Sequence, residues 1–232
     1  MVGESDLPGP LGRVLLVVLA LNRGPVSRQR LAEILWDEEP PEAYERSLNP
    51  LLSKLRRSFV AAGTQREILV SGAGAVELRR ASDVWIDLEE ATTALDRAEG
   101  LVRSGRPREA WPQAAVATSI LGRPFLEGLG LSWVEEQRRV IEARLVRAFE
   151  TTVDVWMALD DPAQAGVAAR KLVEVDRFRE TSYERLIRTY LAQGNRAEAL
   201  RAFAECERVL RDELGVAPSE LVQAAYQDAL ET

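Results

Sequence analysis

The chain has 232 residues, 46% of them hydrophobic and 29% charged, with 30 Lys and Arg against 37 Asp and Glu. That length suits one large or two ordinary domains with a substantial core. It contains no histidine and one cysteine, Cys206, which excludes imidazole acid–base catalysis, Ser-His-Asp and Cys-His nucleophile pairs, imidazole-ligated zinc and an internal disulfide. A lone cysteine fits a reducing, cytosolic compartment.

The first apolar run, Val14–Leu21, is eight residues long, far short of the ~18–20 that a membrane span needs. Glu4 and Asp6 precede it where a secretory leader carries basic residues. The run is expected to be a buried helix of a soluble cytoplasmic protein with no membrane partner, stopped by Asn22-Arg23-Gly24-Pro25. Ser27 is placed to cap a second helix, whose Leu31, Ile34 and Leu35 follow at helical spacing. Asp37-Glu38-Glu39 and Pro40-Pro41 end it near Trp36.

In the third segment Leu48, Leu52, Leu55 and Phe59 form one apolar stripe. Pro50 conflicts with a regular helix there, and the conflict disappears if Asn49 is the N-cap and Pro50 the first helical residue. This reading predicts a separate turn near residues 42–48 and a helix from about residue 50 to the stop at Gly63. Ile68-Leu69-Val70 and Val76-Glu77-Leu78, joined by Ser71-Gly72-Ala73-Gly74, read as a hairpin.

Three helices followed by a hairpin is the order of a winged helix-turn-helix, whose third helix would lie in a major groove. The charge is distributed to match, with residues 1–81 at net +1 and residues 82–232 at net −8. Arg46, Lys54, Arg56 and Arg57, with Arg79 and Arg80 after the hairpin, are candidate phosphate contacts. Asn49 and Ser53 are candidate base readers. The hairpin itself, GAGAVEL, carries Glu77 and lacks basic residues.

From Asp87 onward the pattern is helical. Glu109-Ala110 returns as Glu198-Ala199, and Ala163, Ala165, Ala168 and Val175 return 34 residues later as Ala197, Ala199, Ala202 and Val209. That is the tetratricopeptide period, with small residues where paired helices approach. Between the echoes a long helix is expected over Ser132–Leu159, anchored by Trp133, Val140, Leu145, Phe149, Val153 and Trp156. A last helix over Ser219–Leu230 would cap the stack or serve self-contact.

VSRQRLAEILW, RSLNPLLSKLRRSF and the hairpin, above all Leu35-Trp36 and Ser53–Arg57, resemble the DNA-binding half of the Streptomyces antibiotic regulatory protein family. GRPFLEGLGLSWVEEQRRVIEARL, GNRAEALRAF and LRDELGVAPS resemble the bacterial transcriptional activator domain. The resemblance spans about residues 10–230. It implies a mainly α chain: a winged helix-turn-helix over 1–82, then a tetratricopeptide-like activator domain over 83–232. It further implies a transcriptional activator with double-stranded DNA, RNA polymerase and a second copy of itself as expected partners. Family members begin with a small sheet that the ten or so residues before the first helix cannot supply, so the chain is read as an internal segment or as having lost that sheet.

No catalytic constellation accompanies this pattern. Asp160-Asp161 and Glu89-Glu90 are adjacent on expected helices and point to different faces. Gly72-x-Gly74 is a hairpin turn, Arg138, Arg139 and Arg144 read as solvated helix faces, and Cys206 as a packing residue. A non-enzyme without cofactor or metal is expected. A rival reading keeps the architecture but makes the chain a protein-interaction scaffold without DNA contact, motivated by Glu77 in the wing and the acidic second half.

Overall fold

The computed structural model describes residues 8–37, 39–63, 68–80 and 84–231. They fall into two compact units: one within Met1–Ile86 that also takes in Pro124–Val140, the other Asp87–Arg123 with Ile141–Thr232. The chain is mainly helical.

In the first unit, α1 (Gly9–Leu21) presents Val14, Leu15, Val18 and Leu19 to the core, all at most 1% exposed. The question of a sheet before it concerns residues 1–7, which lie outside the described residues. Val26–Ser27 form a short strand, β1, and Ser27 also caps α2 (Arg28–Leu35) by accepting a 3.1 Å hydrogen bond from the Arg30 N–H. Strands β2 (Leu69–Gly72) and β3 (Ala75–Leu78) form the hairpin, and β1 adds antiparallel to β3, giving the order β1-β3-β2. Val26 pairs with Val76 and Leu69 with Leu78. Leu69 and Val76 point into the core, so the hairpin is held by burial as well as by its ladder. Ala73 and Gly74 both have positive φ, +49° and +74°, the geometry of the primed two-residue turns that match strand twist.

Helix α3 corrects the expectation for Pro50. It runs unbroken from Tyr44 to Ala61, with Pro50 inside it and no cap at Asn49. Leu48, which the expected turn would have included, is fully buried together with Leu52 and Leu55. Burying Leu48 on the same stripe requires helix before Pro50, and that burial outweighs the proline penalty. The Arg46 carbonyl that loses its N–H partner belongs to an exposed turn, where water can replace it. Gly63, at φ +84°, ends the helix as expected.

Residues 124–140 complete this core: Val134 is buried in it, and Phe125, Leu126, Leu129, Leu131 and Trp133 pack against it. Arg138 donates to the carbonyls of Phe125 (3.0 Å) and Leu126 (2.6 Å), so it is a clamp on that turn and not the solvated residue expected. Asp37 Oδ1 accepts a 2.7 Å bond from the Ser132 N–H at the start of α6 (Ser132–Ala158). That bond holds the Asp37 carboxyl below its ordinary range.

The second unit is a series of helical hairpins: α4 (Asp87–Arg103) with α5 (Pro107–Leu121), α6 with α7 (Pro162–Val175), and α8 (Glu180–Ala192) with α9 (Arg196–Val209). The 34-residue echo maps α7 onto α9 end to end. The three turns share one construction. Gly105, Asp160 and Gly194 have φ of +71°, +59° and +68°. The next residue then donates back five positions in each case, from Arg106 to Leu101, Asp161 to Trp156 and Asn195 to Tyr190, all at 2.9 Å. This is the left-handed helix-end motif. Asp160-Asp161 is thus a turn and not a helical pair, and Asp161 caps α7 through the Gln164 N–H at 3.0 Å.

Ala165, Ala168, Ala199, Ala202 and Cys206 are all at most 5% exposed where these helices meet. Val140 of α6 departs from expectation, being 39% exposed, whereas Val153 reaches the core. After a π-helical turn over Leu210–Leu214, α10 (Glu220–Glu231) buries Val222, Ala225 and Ala229 in the same cluster as Ala199 and Ala202.

Candidate nucleic-acid interface

Helix α3 has one face in the core and one in solvent. Leu48, Leu52, Leu55 and Ser58 are buried. Arg46, Asn49, Pro50, Ser53 and Arg57 are exposed and recur at three- and four-residue spacing, so they share the outer face, with Lys54 exposed at its edge. The helix carries Arg46, Lys54, Arg56 and Arg57 against Glu45 alone, a net +3 in a chain of net −7. Among the described residues Arg46, Lys54 and Arg57 have no side-chain hydrogen bond or ion pair, so their charges are available to an outside anion.

The other candidates are placed differently. Arg56 is half-buried and reaches the hairpin, where Nη2 donates to Ser71 Oγ at 2.6 Å and Nε to the Leu69 carbonyl at 3.3 Å. It ties α3 to the wing. Arg79 pairs with Glu77 at 3.3 Å on the wing surface, which offsets its charge. Arg80 is half-buried beyond the strand.

Two residues not singled out in the sequence shape this face. Arg28, the first residue of α2, donates from Nε to both oxygens of Glu45 at 2.9 Å. Its Nη2 also donates to Asn49 Oδ1. The Arg28 side chain is only 16% exposed. Its contact holds the Glu45 carboxyl below the usual range. The Arg28 N–H meanwhile donates to the Gly74 carbonyl at 2.9 Å, so the start of α2 is fastened to the tip of the wing. Glu45 and Asn49 stand four apart on α3, but Arg28 lies 21 residues before Asn49. No local pattern announces a contact of that separation.

Among the described residues no group of acidic or cysteine side chains is placed to hold a metal ion, and no helix is long and apolar enough to cross a membrane. Cys206 is fully buried, and burial, with Glu180 and Glu205 adding to it, pushes its thiol up to about 12.

A winged helix carrying a basic, outward-facing third helix, joined in one chain to tetratricopeptide-like hairpins, defines a class of two-part regulator architecture, the one implied by the resemblance to the Streptomyces antibiotic regulatory proteins. Residues 86–230 match the bacterial transcriptional activator domain, and the chain belongs to that family. The regulatory protein AfsR of Streptomyces coelicolor is 29% identical over 99% of this chain, which spans 23% of that protein. The transcriptional regulatory protein EmbR of Mycobacterium tuberculosis is 24% identical over 95% of the chain, which spans 58% of it. The solved structure of Mycobacterium tuberculosis EmbR in complex with a low-affinity phosphopeptide has the same fold, with a TM-score of 0.83 over 96% of this chain and 59% of that one, at 22% identity. The chain thus corresponds to under a quarter of AfsR and under three-fifths of EmbR.

Proposed function

We propose that this chain is a DNA-binding transcriptional regulator, an activator and not an enzyme, acting in the cytoplasm. The observation that carries the reading is the outer face of α3, where Arg46, Lys54 and Arg57 stand exposed and unpaired around Asn49 and Ser53. Seated in a major groove, that face would set Asn49 and Ser53 against base edges and the three cations against the flanking phosphates. Arg56 contributes by holding the wing, and Arg79 and Arg80 lie where the wing would approach the backbone. We assign residues 1–82 to DNA binding and 83–232 to the activator domain, whose hairpins would contact RNA polymerase or a second copy of the chain.

The reading is tested by fluorescence anisotropy with duplex DNA. About four neutralised phosphates give a slope of log K against log salt near −4. Absence of binding at about 50 mM salt would overturn it. A scaffold that does not touch DNA is the second reading, favoured by the Glu77–Arg79 pair on the wing. Light scattering with and without DNA tests the dimer, which a monomeric mass in both conditions would refute.

A further inference from the structure

Asn49 is not free to choose which end of its amide it shows. The group beside it is the Arg28 guanidinium, which is donor-only, so the amide oxygen must face Arg28 and the NH2 must face away. Turning the amide over would set NH2 against guanidinium, donor against donor. Arg28 is itself fixed: Glu45 engages its Nε and Nη2, its side chain is mostly buried, and its backbone N–H is bonded to Gly74. Asn49 stays exposed on the outer face of α3 between Arg46 and Ser53.

Resting on the DNA reading above, the geometry points to Asn49 as a donor-only reader of guanine. An asparagine that reads adenine needs both ends of its amide, the oxygen for N6–H and the NH2 for N7. Here Arg28 holds one lone pair of the oxygen and turns that end of the amide toward itself, so the end left facing outward is the NH2. A pair of outward N–H donors is matched by two adjacent acceptors, and guanine presents these in the major groove, at N7 and O6. Cytosine offers a donor there, and thymine one acceptor beside a methyl group. Arg28 is then a positioning residue: it does not touch the base but sets which base Asn49 accepts.

The test is selection of bound sequences from random duplexes with the 232-residue chain, its Asn49→Ala variant and its Arg28→Met variant. The wild-type chain should enrich guanine at a position where Asn49→Ala shows no preference, while the other positions stay the same. Replacing that guanine by 7-deazaguanine, which removes N7 and keeps O6, should weaken wild-type binding by about fivefold or more and leave Asn49→Ala unaffected. Arg28→Met, with folding checked by circular dichroism, frees the amide to turn over and should admit adenine beside guanine. Enrichment of adenine by the wild-type chain at the position that Asn49→Ala erases would overturn the inference, as would identical selections by the two; in either case DNA binding itself stands. A wild-type chain that enriches no sequence removes the DNA reading and this inference with it.

Discussion

Tyr183 is 1% exposed and its hydroxyl, like the Ser182 hydroxyl, is buried with no hydrogen-bond partner among the described residues. Burial raises the Tyr183 phenol to about 12. An unpaired buried hydroxyl costs about 1–3 kcal/mol, so Tyr183→Phe should stabilise the second unit by about 1 kcal/mol in urea denaturation; a loss of stability would mean the hydroxyl has a partner. Cys206 sits in the same cluster, protonated at every working pH and out of reach of solvent. It should resist iodoacetamide in the native protein and react on unfolding in guanidinium, as read by mass spectrometry. Asp37 behaves differently because it is ionised and accepts the Ser132 N–H at a helix start. Its folded pKa lies below its unfolded one, so its contribution is present above the ordinary carboxylate value of about 3.9 and is lost as pH falls through the lowered folded value. Asp37→Asn keeps the acceptor oxygen and removes the charge. Its melting temperature should fall below wild type at neutral pH, and the two should converge as pH drops below about 4.

Among the elements, α3 is one where local and tertiary preferences disagree. Pro50 is its seventh residue and has neither the cap nor the first-turn position that makes proline cheap. Replacing it restores an N–H for the Arg46 carbonyl and removes the ring clash. Pro50→Ala should therefore stabilise the first unit by up to about 3 kcal/mol, measured by thermal or chemical melts. A change near zero would mean that the helix starts at Pro50 after all. Helix α5 of the second unit likewise keeps a proline, Pro112, inside its span, so an interior proline is not confined to α3. The second-unit turns at Gly105 and Gly194 agree with their sequence, whereas Asp160 takes the same left-handed geometry without being glycine.

At the scale of the whole chain, the described residues of each unit form a core of their own. Val14, Leu15, Leu31, Leu48, Leu52 and Val134 belong to one, and Val153, Ala165, Ile187, Ala199 and Ala225 to another, with no residue in common. Leu52→Ala, at a site 1% exposed, should cost about 2–5 kcal/mol. In native-state hydrogen exchange it should speed the amides of α1–α3 while leaving those of α8 and α9 protected. Equal acceleration of both sets would show that the two cores open as one.

What the sequence determined by itself was whatever depends on neighbours within a turn or two. The 34-residue period placed α7 and α9, because each hairpin repeats the same turn and the same small residues where helices touch. Ser27, Gly63 and the hairpin were legible for the same reason: capping and turn chemistry is short-range. The exposed cations Arg46, Lys54 and Arg57 could be found from the stripe that buries the opposite face of α3. Only the tertiary structure decided the rest. Burial of Leu48 carried α3 through Pro50, and β1, two residues long, exists because β3 offers it a ladder. Arg56 was drawn to the wing and Arg138 to the carbonyls of residues 125 and 126. Arg28 was brought to Asn49 across 21 residues. These contacts arise from packing between elements, which periodicity and spacing along a single chain do not encode.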